Sequence, residues 1–252
     1  MILRTRSMAL VALMALGGTA VAQQTASVCG SLANAYGPYD YRSADKTALR
    51  TVEGPHFPPK VEALLGGVSG TLGAEIDYTL RAFPNHHRAL LAVMRYGEKM
   101  KTPQPADLRY PVECYFERAL RFRRDDVVAR MLFVQFLTRQ KRAQEAMGHL
   151  AVVAEEAKDN PLTHYNLGLL YFDLQRYDES LVHAQKAYEL GIERPELRDQ
   201  LKKVGKTIDM PARAPISAAS AGAASSPSAS APAASAAAVP PRRAADDAKP
   251  RE

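Results

Sequence analysis

Apolar residues recur through the middle of this chain at steps of three and four, the spacing of one face of a helix. Leu167, Leu170, Tyr171 and Leu174 form one such stripe, and Leu181, Ala184, Ala187, Tyr188 and Leu190 form the next. They predict two helices joined by a short turn. The pattern repeats 34 residues earlier without a gap, with Phe133 and Leu137 in one stretch and Ala146, Leu150 and Val153 in the following one. Further upstream, PNHHRALLAVMRYGEK aligned from Pro84 sets Leu90 and Met94 in the same register. Its partner helix, over about Tyr110–Arg123, supplies Val112, Phe116 and Ala119. Pro84 to Asp126 is 43 residues, nine more than the period, which places an insertion of about nine residues around KTPQPADLRYP. Downstream, residues 195–208 predict an amphipathic helix with a polar outer side, suited to close the array.

Residues 30–83 are less regular. Ser43–Val52 reads as a short helix, and Pro59–Leu65 as another, with proline favourable in its first turn. GGVSGTLG at 66–73 has the glycines of a phosphate loop but neither a Gly-Lys-Ser/Thr ending nor a strand before it, so it reads as a turn between helices. Ala74–Phe83 then reads as the second helix of a degenerate leading hairpin, and YGPYDYR at 36–42 as an ordered loop packed on the first helices.

The segment 161–194 resembles one tetratricopeptide repeat, a helix-turn-helix of 34 residues. Counting from Pro161, Leu167 and Gly168 fall at positions 7 and 8, Tyr171 at 11, Tyr177 at 17 and Ala187 at 27, with Ser180 and Ile192 as departures at 20 and 32. The resemblance implies an all-α hairpin solenoid of about three repeats, with a degenerate N-terminal hairpin and a capping helix. It also implies a groove facing positions 2, 5, 9, 12 and 13, which binds a protein or peptide. By alignment these are Arg88, Arg95 and Tyr96, then Met131, Gln135, Thr138 and Arg139, then Tyr165, Leu169, Phe172 and Asp173. The variety that clamps a C-terminal carboxylate is not matched, because Met131 and Gln135 stand where it has lysine and asparagine. Residues 36–91 are similar to the N-terminal part of a group of exported proteobacterial proteins with such repeats.

Composition divides the chain into a leader (1–22), an N-terminal segment (23–83), the helical array with its cap (84–208) and a tail (209–252). Residues 1–22 have two arginines, an apolar run and Ala20-Val21-Ala22, the signature of a secretory signal peptide cleaved after Ala22. This predicts a periplasmic protein with no transmembrane span once processed. The formal charge of +6 includes Arg4 and Arg6 of the leader, and basic and acidic residues alternate along the helices, a solvated pattern rather than a nucleic-acid footprint. Between Pro211 and Glu252 there are 17 Ala, 7 Pro and 7 Ser, too little apolar surface to offset the entropy of ordering, so a disordered tail is expected. The only two cysteines, Cys29 and Cys114, are either two thiols or, in an oxidising compartment, one bridge. Closing a loop of about 85 residues contributes on the order of 4 kcal/mol in the chain-entropy model.

No nucleophile elbow, dinucleotide loop or zinc signature is present, and the expectation is a non-catalytic protein without a cofactor or metal. Adjacent His86 and His87 point about 100° apart on a helix and cannot chelate one ion together from a regular turn. Glu155-Glu156 and Asp125-Asp126 read as solvation of helix ends. Two other readings stand beside the adaptor. In one, His56, His86 and His87 build a metal or enzymatic site; in the other, the chain is a spacer acting through its tail. Oligomeric state and partner identity are not written in the residues.

Overall fold

The computed structural model describes residues 29–209, and every regular element among them is an α-helix. The ten are α1 (Lys46–His56), α2 (Pro59–Glu62), α3 (Leu72–Ala82), α4 (His87–Met100), α5 (Val112–Phe122), α6 (Val127–Arg139), α7 (Ala143–Glu156), α8 (Pro161–Asp173), α9 (Tyr177–Glu189) and α10 (Glu196–Lys203). The expected leader lies outside the described residues, as does all of the expected tail except Asp209. No described helix is long and apolar enough to cross a membrane.

Helix starts and stops repeat the same local chemistry. The side chains of His86, Asp126 and Asn160 accept from the amides of Ala89, Ala129 and Thr163, capping α4, α6 and α8. Each of these helices then ends at a residue with positive φ, at Lys101 (52°), Lys141 (61°) and Gln175 (60°). The next amide reaches back to close the turn: Thr102 to Gly97, Arg142 to Leu137, Arg176 to Tyr171. Caps and stops together put α6 and α8 in one 34-residue register. They also start α4 at His87, three residues later than the Pro84 alignment. The alignment took the proline for the first helical position, whereas Pro84 lies in the loop that the His86 side chain closes. Measured from His87, the hairpin is six residues longer than the period, because the turn 101–111 is eight residues longer than its counterparts and α4 one residue longer than α6 while α5 is three shorter than α7.

The first helices pack side by side, α4 on α6 and α6 on α8, and α10 takes the next place on α8. Their partners α5, α7 and α9 pack against them in turn. One apolar core runs from Phe57 and Ile76 through Phe116, Phe133 and Leu137 to Leu167 and Tyr171. A second closes the C-terminal end, where Leu197 and Leu201 of α10 cover Tyr165, Ala184, Ala187 and Tyr188. Close approach there needs a residue without a side chain: a Cβ on Gly168 would lie 2.5 Å from Leu197 Cδ2 and 3.3 Å from the Ser180 carbonyl oxygen. The Ser180 hydroxyl in turn donates to the Gly168 carbonyl at 2.7 Å.

At the other end α3 packs between α1 and α4, and the one-turn α2 touches both α3 and α4 more lightly. The leading pair is therefore α1 with α3, and α1 continues through Gly54 and Pro55 to His56, past the Val52 end expected from sequence. The segment 29–45 is tied across this end. Cys29 and Cys114 are bonded, with sulfurs 2.10 Å apart and both residues buried. Arg118, 1 % exposed, donates through Nη1 to the Cys29 and Ser31 carbonyls at 2.9 and 2.7 Å and lies over the Tyr110 ring. Arg121 donates to the Gly30 carbonyl at 2.6 Å. The aromatic loop is ordered as expected: the Tyr39 amide donates to the Ala82 carbonyl, and the Tyr41 ring rests 4.1 Å from that of His86.

Replacing Cys29 or Cys114 by serine is expected to lower unfolding stability by roughly 2–5 kcal/mol. Urea denaturation should then show wild type in reductant matching the variants. Gln175→Gly relieves a left-handed side-chain residue and is expected to raise stability by about 1 kcal/mol in the same assay.

Candidate functional site

Because α4, α6 and α8 lie in a row, their outward residues share one face, and the expected groove residues separate into three groups on it. Arg88 is tied to Glu62 and Glu53 and lies 5.5 Å over the Phe57 ring. Arg95 is exposed, close enough to Glu62 for its charge to lower that carboxyl, after the larger effect of Arg88. Arg139 is also exposed, and its Nη1 donates to both oxygens of Glu98 at 2.7 and 2.8 Å, linking α6 to α4. The Thr138 hydroxyl turns back to the Val134 carbonyl.

The remaining expected residues are less open. Tyr96 is buried, its hydroxyl donating to Asp107 at 2.8 Å, because starting α4 at His87 moves it off the shared face. Met131 and Gln135 are each 5 % exposed, and the Gln135 Oε1 is buried without a hydrogen-bond partner. Tyr165 is buried under α10 and donates to Glu196 at 3.0 Å. Leu169 and Phe172 are half-buried against the same C-terminal core, and Asp173 is exposed. The open part of the face is thus the arginine-rich stretch over α4 and α6.

A cleft of about 450 Å³ adjoins that stretch. Met94, Val112 and Phe136 give it apolar walls, and Pro103 and Pro111 of the long turn complete them. Its lining includes Glu98, the partner of Arg139, and the Glu113–Arg142 ion pair at 2.7 Å. Arg142 holds a second carboxylate, Glu145, and these two acids raise its pKa. Sequence reasoning located the insertion but not the cleft it walls. The signal was there in the prolines of KTPQPADLRYP, which stiffen a turn that elsewhere in the array is three residues long.

The N-terminal histidines do not converge. His56 Nδ1 meets Glu75 at 2.6 Å, His86 Nε2 meets Glu53 at 2.9 Å, and His87 Nε2 meets Asp126 at 2.9 Å. His86 accepts the Ala89 amide on Nδ1, so its proton sits on Nε2 and is donated to Glu53. Burial holds the pKa of His86 down. Asp126 is a buried junction, receiving the Ala129 amide, the Asn85 side chain and His87. Among the described residues no three His, Cys, Asp or Glu side chains are placed to hold one ion.

The glycine-rich loop has its own anion. Glu75 Oε1 accepts the amides of Ser69 and Gly70 at 2.8 and 2.9 Å, the Val68 amide at 3.2 Å and the Ser69 hydroxyl at 3.0 Å. The donors a phosphate would need are committed to this internal carboxylate. Leu72 and Gly73 belong to α3 rather than to the loop.

In comparisons with known proteins, no family model, no curated protein and no solved structure matches the chain.

Burial alone would raise the Glu75 pKa, but His56, the two amides and the serine hydroxyl outweigh it and bring it to about 2. A carboxyl held below its unfolded value of about 4.5 contributes stability that is complete above that value and lost as pH falls toward 2. Glu75→Gln is therefore expected to cost roughly 2–3 kcal/mol at pH 7 and to flatten stability against pH between about 4.5 and 2, read by chemical denaturation at a series of pH values.

Proposed function

We propose that this chain is a non-catalytic, exported adaptor of the tetratricopeptide type, which holds a protein or peptide partner along the face of α4, α6 and α8. The observation that carries this reading is the shared cap and shared left-handed stop of those three helices. Identical starts and stops on helices that pack side by side align their outward residues into one continuous surface, as a groove for an extended chain requires. Within it, Arg88, Arg95 and Arg139 orient a partner by charge, and the cleft at Met94, Val112 and Phe136 takes an apolar side chain. The Cys29–Cys114 bond accords with an oxidising compartment, and so with a periplasmic location.

Crosslinking and pulldown from the cell envelope test the proposal. Wild type and a Glu155→Ala control are expected to capture the same partner, with at least a tenfold loss for the doubly substituted Arg95→Glu, Arg139→Glu chain. Undiminished capture by that variant, shown to be folded by circular dichroism, would overturn it.

A further inference from the structure

A pair of side chains in the last hairpin takes no part in the partner face. His164 on α8 and His183 on α9 face each other with their Nδ1 atoms 3.0 Å apart. The other nitrogen of His164, Nε2, lies 2.7 Å from the Lys158 carbonyl oxygen, a contact that only an N–H makes. The neutral His164 ring therefore presents a bare lone pair at Nδ1, and His183 supplies the single proton between the rings. The ring planes differ by 24° and the centroids are 5.3 Å apart, close to the largest separation that a 3.0 Å nitrogen gap permits. The two nitrogens thus point at each other along the line of centres. Tyr171 stacks on His183 at 4° and 5.4 Å, fixing the plane of that ring.

We propose that this pair is a two-coordinate site for a soft monovalent metal ion of the Cu⁺ and Ag⁺ class, the ion taking the place of the bridging proton. Such d¹⁰ ions accept two collinear donors, and the opposed imidazoles supply them. A carbonyl on the far nitrogen fixes His164 as second partners fix metal-ligating histidines elsewhere. With a metal–nitrogen distance of about 2 Å the facing atoms need about 4 Å, an opening of about 1 Å by the half-buried His183. A divalent ion asks for four or more ligands, and no third His, Cys, Asp or Glu among the described residues completes such a set. The neighbouring Asp159 is paired with Lys186 at 3.0 Å.

Each ring holds one proton in this arrangement, His164 on Nε2 toward the Lys158 carbonyl and His183 on Nδ1 between the rings. On binding, the proton on His183 Nδ1 transfers through solvent to its own Nε2. Two neutral rings then hold one positive charge, and no proton is released overall. The chain's only two cysteines are bonded to each other, so no thiol competes for a soft ion.

The test is titration of the full, disulfide-bonded chain with silver nitrate in chloride-free buffer. Native mass spectrometry reads stoichiometry, and nitrogen-15 spectra of the imidazoles read location. One equivalent is expected to bind and to shift Nδ1 of His164 and His183. His183→Asn and His164→Ala are expected to weaken binding at least tenfold, and the His149→Asn control to leave it unchanged. His183→Asn keeps an N–H donor toward His164, and circular dichroism verifies its fold. Equal affinity in folded His183→Asn, silver shifts confined to other histidines, or no bound equivalent would each overturn the assignment.

Discussion

Each pair of helices in this protein carries an apolar stripe that only a neighbouring pair can cover, and this requirement is hardest to meet at the two ends of the row. The ends meet it differently. At the C-terminal end α10 occupies the place of a further first helix, and Leu197 and Leu201 are fully buried against Tyr165, Ala184 and Ala187. At the N-terminal end the segment 29–45 is laid across α3 and α5. A chain without regular structure leaves backbone carbonyls to be satisfied, and Arg118 and Arg121 do this for residues 29–31 while the disulfide fixes the point of attachment. Further along the strap, Tyr36, Tyr41 and Ala44 pack on the apolar cluster of Val52, Ala82 and Phe83, so the covalent bond anchors one end of the segment and apolar contact the other.

Between the ends, accuracy comes from repeated termini rather than from a repeated core. Phe116 stacks on Phe133 at 5.5 Å in the centre, whereas the C-terminal pair packs through Gly168, Ser180 and Ala184. The contents differ and the spacing does not. Four-residue loops join α3 to α4, α5 to α6 and α7 to α8, each closed by the side chain immediately before the following helix. The extra length of the first recognisable hairpin is absorbed in the turn from Lys101 and in a shorter α5, so the row of first helices is undisturbed and a cleft opens beside it.

These differences explain what could be read from residues alone. From Val127 onward the helices lie where the 34-residue period puts them, because Asp126 and Asn160 are ordinary caps and Pro161 an ordinary first residue. The Pro84 alignment slipped by three because histidine is not a usual cap; that His86 closes the turn follows from its burial beside Glu53, a contact between residues 33 apart. The stops at Lys101, Lys141 and Gln175 gave no signal, since glycine is the residue that marks them elsewhere. The burial of Tyr165 was hidden for another reason: position 5 is open only where nothing follows, and α10 follows. The pairing of Cys29 with Cys114 was one of two alternatives in the sequence, and proximity decides it.

The distribution of polar contacts then separates residues that hold the fold from residues a partner could engage. Asp126, Asn85 and His86 are at most 1 % exposed and each holds at least two polar partners, so removing any one leaves buried groups short of a hydrogen bond at a cost of about 1–3 kcal/mol. Arg139–Glu98 and Arg142–Glu113 have side chains about a third exposed, where an ion pair contributes about 0–1 kcal/mol. Exchanging such a pair for one with an incoming chain costs little, so these arginines can change partners while the helices beneath them stay in place. Those exchangeable pairs join α6 to α4 and the α6–α7 turn to α5, beside the apolar cleft, so the part of the surface cheapest to reorganise is also the part with room for an apolar side chain.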